Sequence, residues 1–541
     1  MIRTKREKCL FLPAVCAGLA GAASLLLGAG RTPGLPQVVR EIVSRPEFRH
    51  ARFGIEFYSL DTNRAVYHLN RQMMFTPAST TKLLTEGTAL ALLGADYRFD
   101  TRVYRAGPVD ADGTLRGDLI VVASGDPNLS QRIQPDGTLA FENDDHCYGG
   151  KAVPGDPLAV IEQLAHQVAA RGIKQIFGRV LVDTSLFPEG VKEPGTDTII
   201  SPVVVNDNIV DVTAAPGASL GAPVTLSVSP DTGYVRFINR ATTGPPGSDA
   251  AIEWSTDEVE TDGSHTVTVT GTVPLGKPPA LCPYPVPQPS RFAEFALVEA
   301  LHAHGVVVTA DGGGVPPDFK ALSAWYTPAN LVAEHVSPPL SEDVKVTLKV
   351  SQNLHASLMP YLLGAVLAHA PKNSDQAGFN LERAFLEKGE LDLSGASQSD
   401  GEGGARADFF TPDFMVHFLA YIRRTKVFPQ FLAGLPVLGR DGTLADIQRD
   451  SPAAGRVFAK TGSWDDSDEL NQNDMVVGKG LAGYMTTRGG HHLVFAIYAN
   501  EVAVPNGDDS MDKIVGEALG QIAAAAYLDP SLGDANDPAS R

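Results

Sequence analysis

The 541-residue chain has little cysteine, little tryptophan and a deficit of positive charge. It contains 44 lysine and arginine residues against 63 aspartate and glutamate residues, so its formal net charge is −19. An acidic protein repels phosphate backbones and anionic lipids, which argues against nucleic acid or an anionic membrane surface as its main partner. After residue 30 no apolar run is long enough to cross a bilayer, which excludes a multi-span membrane protein. The 43% of hydrophobic and 20% of charged residues indicate a globular chain.

The start of the chain differs from the rest. Residues 1–8 contain four basic residues and one acidic residue, and residues 9–30 are uncharged and rich in Ala, Leu and Gly. A basic start followed by an apolar stretch and small residues is typical of a secretory signal peptide. The length of the apolar stretch leaves an uncleaved N-terminal anchor as the alternative. Both predict export to the periplasm or cell-wall space, with possible peripheral or N-terminal membrane association.

Beyond this segment the chain keeps two cysteines, Cys147 and Cys282. In an exported protein such a pair can form a disulfide, and two buried thiols are the alternative. Residues 144–147 place metal-ligating residue types side by side, but we interpret them as part of a loop, and we predict no metal site. His491 and His492 precede a strand and are expected to be solvated edge residues.

Hydrophobic periodicity predicts one α/β (α+β) domain that is interrupted by a β-rich insertion. A hairpin at 53–68 and a helix from 76 to 94 open the domain, and helices and strands return after residue 345. Between them short strands alternate with Gly/Pro turns around one helix at 157–171. The predicted organisation is 1–30 (signal peptide or anchor), 31–102 (first part of the main domain), 103–333 (inserted region) and 334–541 (second part).

The first chemical motif is Ser79-Thr80-Thr81-Lys82 in the first turn of the predicted helix. Residues three apart share a helix face, so the Ser79 hydroxyl and the Lys82 amine can come within hydrogen-bond reach. A desolvated lysine can act as the base that makes a serine nucleophilic. A helix cap at Ser79 with a solvated Lys82 is the alternative for an isolated match.

The second motif is Ser351-Gln352-Asn353, just before a helix predicted from Leu354. Its hydroxyl could transfer a proton and its amide could hold a substrate peptide group. The alternative is an N-cap, because serine and asparagine both favour that position.

The third motif is Lys460-Thr461-Gly462-Ser463, at the end of a strand predicted over 456–461. A cation and a hydroxyl at a strand edge can hold a carboxylate, and Gly462 permits close backbone approach. The alternative is an ordinary strand end followed by a turn.

Ser-x-x-Lys, Ser-x-Asn and Lys-Thr-Gly together are the motif set of penicillin-binding proteins and class A β-lactamases. The long gap from Ser79 to Ser351 leaves room for a large insertion that a compact β-lactamase lacks. The chain resembles the low-molecular-mass class C penicillin-binding proteins, the DacB-type D-alanyl-D-alanine carboxypeptidases/endopeptidases. The resemblance covers most of the mature chain and includes residues 77–85, 93–99, 124–129, 206–208, 399–403, 435–444 and 481–484.

The resemblance implies a serine β-lactamase/transpeptidase-like domain interrupted by a two-domain insertion. It also implies acyl transfer, in which Ser79 attacks the carbonyl between two terminal D-alanines of a peptidoglycan stem peptide. Lys82 takes the serine proton, and Ser351 passes a proton to the leaving amine. β-Lactam antibiotics are implied as covalent inhibitors, and no cofactor is implied.

The remaining motif residues are implied to bind the substrate. The backbone N–H groups of Ser79 and Ser463 form the oxyanion hole, beside Gly462. Lys460 and Thr461 hold the terminal carboxylate, and Asn353 holds the acyl side.

Three departures from the family pattern are modest. Gln352 stands at the variable middle position of its motif and is expected to be harmless. Ser463 replaces the usual threonine, and its backbone N–H can still serve. Residues 465–469 and Asp474 form an acidic stretch, which we predict as a loop beside the cleft or a merely solvated charge run.

Three other functions remain open at this point. A D,D-endopeptidase that cleaves peptide cross-links would use the same site. A non-catalytic wall-binding or β-lactam-sensing protein would keep the pocket without turnover, and an esterase for small substrates is a weaker alternative.

Overall fold

The computed structural model of the protein describes residues 9–11, 33–309, 316–506 and 511–532. They divide into two compact units. The first unit comprises Met1–Phe11, Leu92–Val346 and Gln352–Leu381, and the second comprises Leu12–Ala91, Thr347–Ser351 and Glu382–Arg541. Apart from Cys9–Phe11, the predicted signal peptide or anchor lies outside the described residues. Across the described residues, no helix is both long and apolar enough to traverse a bilayer.

The second unit is built on an antiparallel sheet of six strands within the described residues. The strand order is Val457–Asp468, Asn473–Thr486, His492–Asn500, Arg52–Ser59 and Arg64–Leu69, with Val502–Val504 paired beside Asn473–Thr486. The predicted hairpin at 53–68 is confirmed by the pairing of Arg52–Ser59 with Arg64–Leu69. His492–Asn500 is buried at every residue but the first, as expected of a central strand with both faces covered.

Helices cover both faces of this sheet. They are Leu35–Val43, Lys82–Leu93, Pro412–Ile422, Phe428–Gly434 and Glu517–Leu528, the last preceded by a π-helical turn at Met511–Gly516. One apolar cluster joins the first and last of these helices to alternate residues of the strands, such as Ile55 and Ile497. On the other face Phe418 and Ile422 lie against Gly87, so Pro412–Ile422 packs on the helix Lys82–Leu93. The latter is buried on all sides through Leu90, which fixes its position in the core.

The first unit contains several smaller sheets and six helices within the described residues. A four-stranded sheet has the order Leu331–Val336, Asp100–Ala106, Asp118–Val122 and Val180–Asp183, and a second sheet of four strands in sequence has the order Cys9–Phe11, Ala250–Val259, His265–Pro274 and Val235–Asn239, with Thr242–Gly244 also paired to His265–Pro274. Two three-stranded sheets have the orders Thr225–Ser229, Ile209–Ala215, Ala280–Pro285 and Val307–Val308, Gln175–Ile176, Thr114–Leu115. Ile199–Ile200 and Val191–Lys192 form a two-stranded sheet. The helices are Ala159–Ala170, Pro289–Ala303, Phe319–Leu322, Leu340–Val350, Asn353–Val366 and Ser374–Lys388, of which Leu340–Val350 and Ser374–Lys388 continue into the second unit.

The two cysteines of the first unit do not bear out the disulfide prediction. Cys282 lies in the strand Ala280–Pro285, and Cys147 lies in the 3-10 turn His146–Tyr148. Both are buried thiols, so the alternative describes them and the disulfide prediction was wrong.

Candidate active site

Ser79 lies in a 3-10 turn, Ala78–Thr81, directly before the α-helix Lys82–Leu93. The prediction had placed it in the first turn of the α-helix itself. Residues three apart eclipse one another in a 3-10 turn. Lys82 Nζ accordingly lies 2.8 Å from Ser79 Oγ and donates a hydrogen bond to it. Ser79 is partly exposed, whereas Lys82 is fully buried, so the serine faces outward and the amine supports it from the core.

A loop at residues 399–404 holds Lys82 from another side. Lys82 Nζ donates to the Glu402 carbonyl oxygen at 2.9 Å. The Asp400 carboxylate shapes the loop by accepting backbone N–H bonds from Glu402 at 3.0 Å and Gly403 at 2.6 Å. Gly403 has φ +94°, and a Cβ there would lie 2.0 Å from the Ala78 carbonyl oxygen. The sequence assigns no role to this segment beyond the family resemblance, and only the fold shows that the Glu402 carbonyl oxygen contacts Lys82.

Ser351 and Lys460 form a second hydroxyl–amine pair. Lys460 Nζ donates to Ser351 Oγ at 2.8 Å and to the Thr461 carbonyl oxygen at 2.9 Å. Ser351 joins two helices, Leu340–Val350 and Asn353–Val366, with φ +66°, a conformation that is unusual for serine. The N-cap of the second helix is Gln352, whose side chain accepts the Leu354 N–H, so neither Ser351 nor Asn353 is the cap.

Electrostatics connects the two pairs. Burial lowers the pKa of Lys460 well below its usual value, and the charges of Lys82 and Lys479 lower it further. Such an effect requires the lysines to be near one another. Ser79, Lys82, Ser351 and Lys460, which we call the hydroxyl–amine cluster, all belong to the second unit, where the strand that carries Lys460 contacts the serine turn at Gly462.

The Lys-Thr-Gly motif lies in the middle of a strand and not at its end. Val457–Asp468 runs through the motif and pairs with Asn473–Thr486. A Cβ at Gly462 would lie 2.3 Å from the Pro77 carbonyl oxygen, so glycine permits the strand to contact the serine turn. Thr461 Oγ1 donates to Thr443 Oγ1 at 2.7 Å, and Ser463 is exposed.

The acidic stretch is also different from the prediction. Asp465, Asp466 and Asp468 belong to the strand, and the turn of the hairpin comes only at residues 469–472. The predicted loop was therefore wrong, because the cross-strand pairing continues to Asp468 and Asn473.

Asn353 belongs to the first unit, where it begins the helix Asn353–Val366. It is partly buried, and its side chain lies directly against Gly195, where a Cβ would be 1.9 Å from Asn353 Nδ2. Its role on the acyl side of a substrate stays a prediction.

Residues 145–147, whose side chains are of types that can ligate metals, belong to a buried ionic network. Asp145, His146 and Cys147 meet Asp207, with ligand atoms within 4.8 Å of one another. The Arg132 guanidinium, however, donates to Asp145 at 2.6 Å and to Asp207 at 2.7 Å. The Arg132 guanidinium therefore shares both carboxylates with these residues, and we call Arg132, Asp145, His146, Asp207 and His355 the ionic network.

His491 and His492 lie at the edge where the last long strand begins. His492 is exposed and pairs with Asp61, with Nδ1 and Oδ1 2.9 Å apart.

Comparison with known proteins places this architecture. The crystal structure of penicillin binding protein 4 (dacB) from Haemophilus influenzae superposes with a TM-score of 0.69 at 19% identity and covers 91% of this chain and 99% of that one. This likeness confirms the predicted fold class, a transpeptidase-like domain of helices and strands with additional domains.

The chain belongs to the D-Ala-D-Ala carboxypeptidase 3 (S13) family, whose model matches residues 35–518. A D-alanyl-D-alanine carboxypeptidase from Actinomadura sp. (strain R39) is 28% identical over 476 residues, 84% of this chain and 81% of the relative. D-alanyl-D-alanine carboxypeptidase DacB from Haemophilus influenzae is 24% identical over 464 residues, 82% of this chain and 84% of the relative. The resemblance inferred from the motifs is confirmed.

Proposed function

We propose that this protein is a serine-type D-Ala-D-Ala carboxypeptidase that acts on peptidoglycan stem peptides through an acyl-enzyme on Ser79. The observation that carries the proposal is the 2.8 Å hydrogen bond between the buried Lys82 amine and the partly exposed Ser79 hydroxyl. A serine is a weak nucleophile unless an adjacent base takes its proton. The family supports the substrate class, since both relatives described above bear the name of this activity.

The reaction takes two steps. Ser79 Oγ bonds to the carbonyl carbon between the two D-alanines and transfers its proton to the Lys82 amine. The carbon–nitrogen bond then breaks as that proton passes from Lys82 through Ser351 to the leaving amine, which departs as D-alanine. Water then attacks the resulting ester and gives a proton to the Lys82 amine. The bond to Ser79 Oγ breaks, and the serine oxygen takes that proton from Lys82. No cofactor enters either step.

The strand Val457–Asp468 supplies the substrate contacts in this proposal. The backbone N–H groups of Ser79 and Ser463 stabilise the oxyanion, at about 3 kcal/mol for each donor. Lys460 and Thr461 bind the terminal carboxylate, Gly462 keeps the strand close to the serine turn, and Asn353 holds the acyl side. β-Lactams acylate the same serine, in line with the solved complex of the Haemophilus influenzae protein with a β-lactam.

The proposal includes export and the insertion. The basic and apolar start of the chain supports secretion to the periplasm or cell-wall space, where stem peptides occur. Residues 103–333 are proposed as the insertion, with 31–102 and 334–541 as the two parts of the transpeptidase-like domain. The second unit supports the two-part arrangement, because it draws on residues before 92, on residues 347–351 and on residues after 381, whereas residues 352–381 group with the first unit.

Two measurements test the proposal. After exposure to benzylpenicillin, intact-protein and peptide mass spectrometry should locate one covalent adduct on Ser79, absent in Ser79→Ala and retained in the exposed-serine control Ser323→Ala. A Lys-D-Ala-D-Ala peptide should release D-alanine with the wild type and not with Ser79→Ala.

Other outcomes select other functions. Labelling without D-alanine release would indicate the sensing alternative and contradict the proposed turnover. Product analysis on monomeric and cross-linked muropeptides separates carboxypeptidase from endopeptidase action, because the two differ only in the leaving group.

A further inference from the structure

A third buried lysine, Lys479, lies beside the Lys-Thr-Gly strand. It stands directly opposite Ser463 in the register of Val457–Asp468 with Asn473–Thr486. Directly opposed residues of an antiparallel pair project from the same face, so the two side chains can meet. Lys479 Nζ donates to Ser463 Oγ at 2.5 Å, although Lys479 is only 3% exposed.

Lys479 also has an anionic partner on a different element. Its ammonium forms an ion pair with Asp512, in the π-helical turn Met511–Gly516. The charge of Lys479 lowers the pKa of Asp512, which is the direction expected of an ionised pair. Lys460 differs, because burial and the neighbouring Lys82 and Lys479 lower its pKa. Lys479 is therefore the lysine beside this strand that forms an ion pair with a carboxylate.

The hydrogen-bond directions distinguish the two hydroxyls of the strand. A hydroxyl has one proton to donate and two lone pairs to accept with. Thr461 Oγ1 donates its proton to Thr443. Ser463 Oγ accepts from Lys479, which turns its own proton away from the lysine, and Ser463 is exposed. The Ser463 hydroxyl is thus oriented and polarised as a donor toward solvent.

We infer that Lys479 is a positioning residue that acts through the Ser463 hydroxyl to select substrates with a free terminal carboxylate. This rests on the proposed function and extends it, since Ser463 then contributes its side chain as well as its backbone N–H. A hydrogen bond to a carboxylate from a donor that is itself polarised by a cation is stronger than a neutral one. Asp512 maintains the lysine charge and is not itself in contact with the substrate.

The test uses two thioesters of N-acyl-D-alanine that differ at one group. In one the leaving group carries a carboxylate, and in the other this carboxylate is a methyl ester. We expect Lys479→Gln to lower kcat/KM for the carboxylate substrate roughly 10- to 100-fold, the range of one hydrogen bond to a charged group. The kcat/KM for the methyl ester should change less than about twofold, because the interaction that is lost needs the negative charge of the carboxylate.

Three further variants separate positioning from a structural role. Lys479→Arg keeps the charge and should retain most of the preference for the carboxylate substrate. Lys426→Gln removes an exposed lysine of the same unit and should change kcat/KM for neither substrate. Ser463→Ala should reproduce the Lys479→Gln effect, and the double variant should lose no more, because both changes remove one interaction.

The outcomes are distinct. Equal losses on both thioesters, or no loss on the carboxylate substrate, would overturn the role of Lys479. A wild-type protein that hydrolyses neither thioester would overturn the proposed function itself. If Lys479→Gln unfolds, Ser463→Ala still decides the matter, since it removes only an exposed hydroxyl and keeps the backbone N–H.

Discussion

The hydroxyl–amine cluster and the ionic network both place basic groups in the protein interior, but they give those groups different partners. Lys460 donates to the Ser351 hydroxyl and to a carbonyl oxygen, and its pKa is lowered by burial. His355, in the ionic network, lies 2.9 Å from both Asp207 and Asp343. Burial alone would lower its pKa, but the charge of Asp343 and the hydrogen bond to Asp207 raise it to about 10. Burial is common to both sites, so the partners decide whether the pKa of a buried basic group falls or rises.

The ionic network shows what such pairing requires of the backbone. Asp207 accepts from Arg132, His146 and His355. Burial raises its pKa, yet the Arg132 charge and the histidine hydrogen bonds outweigh this and place it well below the usual value. Asn206, Asp207 and Asn208 all have positive φ, between 48° and 54°. Backbone strain of this kind persists only where surrounding contacts over-determine it, and here the ion pairs supply them.

The largest expected effect comes from Lys460→Met, which removes a buried amine from the hydroxyl–amine cluster. Hydrolysis should fall by roughly 10²- to 10³-fold, because Lys460 binds the terminal carboxylate in the proposed function and donates to the Ser351 hydroxyl. The free energy of unfolding should stay the same or rise, because an apolar chain replaces a buried amine. Steady-state kinetics and thermal unfolding of the same sample measure both, and a large loss of stability would contradict the comparison.

The matched change in the ionic network is Arg132→Met. It leaves Asp145 and Asp207 without their guanidinium partner, and removing one partner of a buried pair costs about 3–5 kcal/mol of stability. Denaturant unfolding should show this loss, with Arg240→Met as the control at an exposed arginine of the same unit. Loss of activity without loss of stability would contradict this assignment of Arg132 to a stabilising ion pair.

The pH dependence of stability should have opposite signs in the two regions. The folded-state pKa of His355 is about 10, above its unfolded value, so its contribution is fully present below about pH 6.5 and is lost as the pH rises toward 10. Lys460 has a folded-state pKa below its unfolded-state pKa. Its effect on the free energy of unfolding therefore becomes more favourable as the pH rises from the first of these pKa values to the second.

Melting temperatures between pH 6 and 10 check these signs. The melting temperature should fall less steeply toward alkaline pH in His355→Gln than in the wild type, and more steeply in Lys460→Met. Parallel curves for all three proteins would show that neither group controls the dependence.

The smallest expected effect is that of Gln352→Ala. Gln352 Oε1 accepts the Leu354 N–H at 2.8 Å, and its Nε2 donates to Cys147 Sγ at 2.9 Å. Losing the cap should cost about 1 kcal/mol, well below the cost at Arg132, because both contacts are between neutral groups. A stability equal to the wild type in denaturant unfolding would support the expectation, made from the sequence, that this variable position is harmless.

Local spacing made part of the site predictable. Ser79 and Lys82 are three residues apart, and any helical turn brings them together, so the pair followed from sequence alone. The hairpin Arg52–Ser59/Arg64–Leu69 and the helix Lys82–Leu93 follow from alternation and periodicity in the same way. The sequence predicted a strand at the Lys-Thr-Gly motif but not its full length, because only the pairing with Asn473–Thr486 extends it to Asp468.

The amino-acid sequence by itself determined the three motifs, their order and the family they indicate, because each motif is held within a few consecutive residues. Only the tertiary structure decided that the Glu402 carbonyl contacts Lys82, that Lys479 donates to Ser463 and that residues 132, 145 and 207 form a buried ionic network. The physical reason is that these contacts join residues 13 to 320 positions apart, and their partners are set by strand register and core packing, which no local pattern encodes.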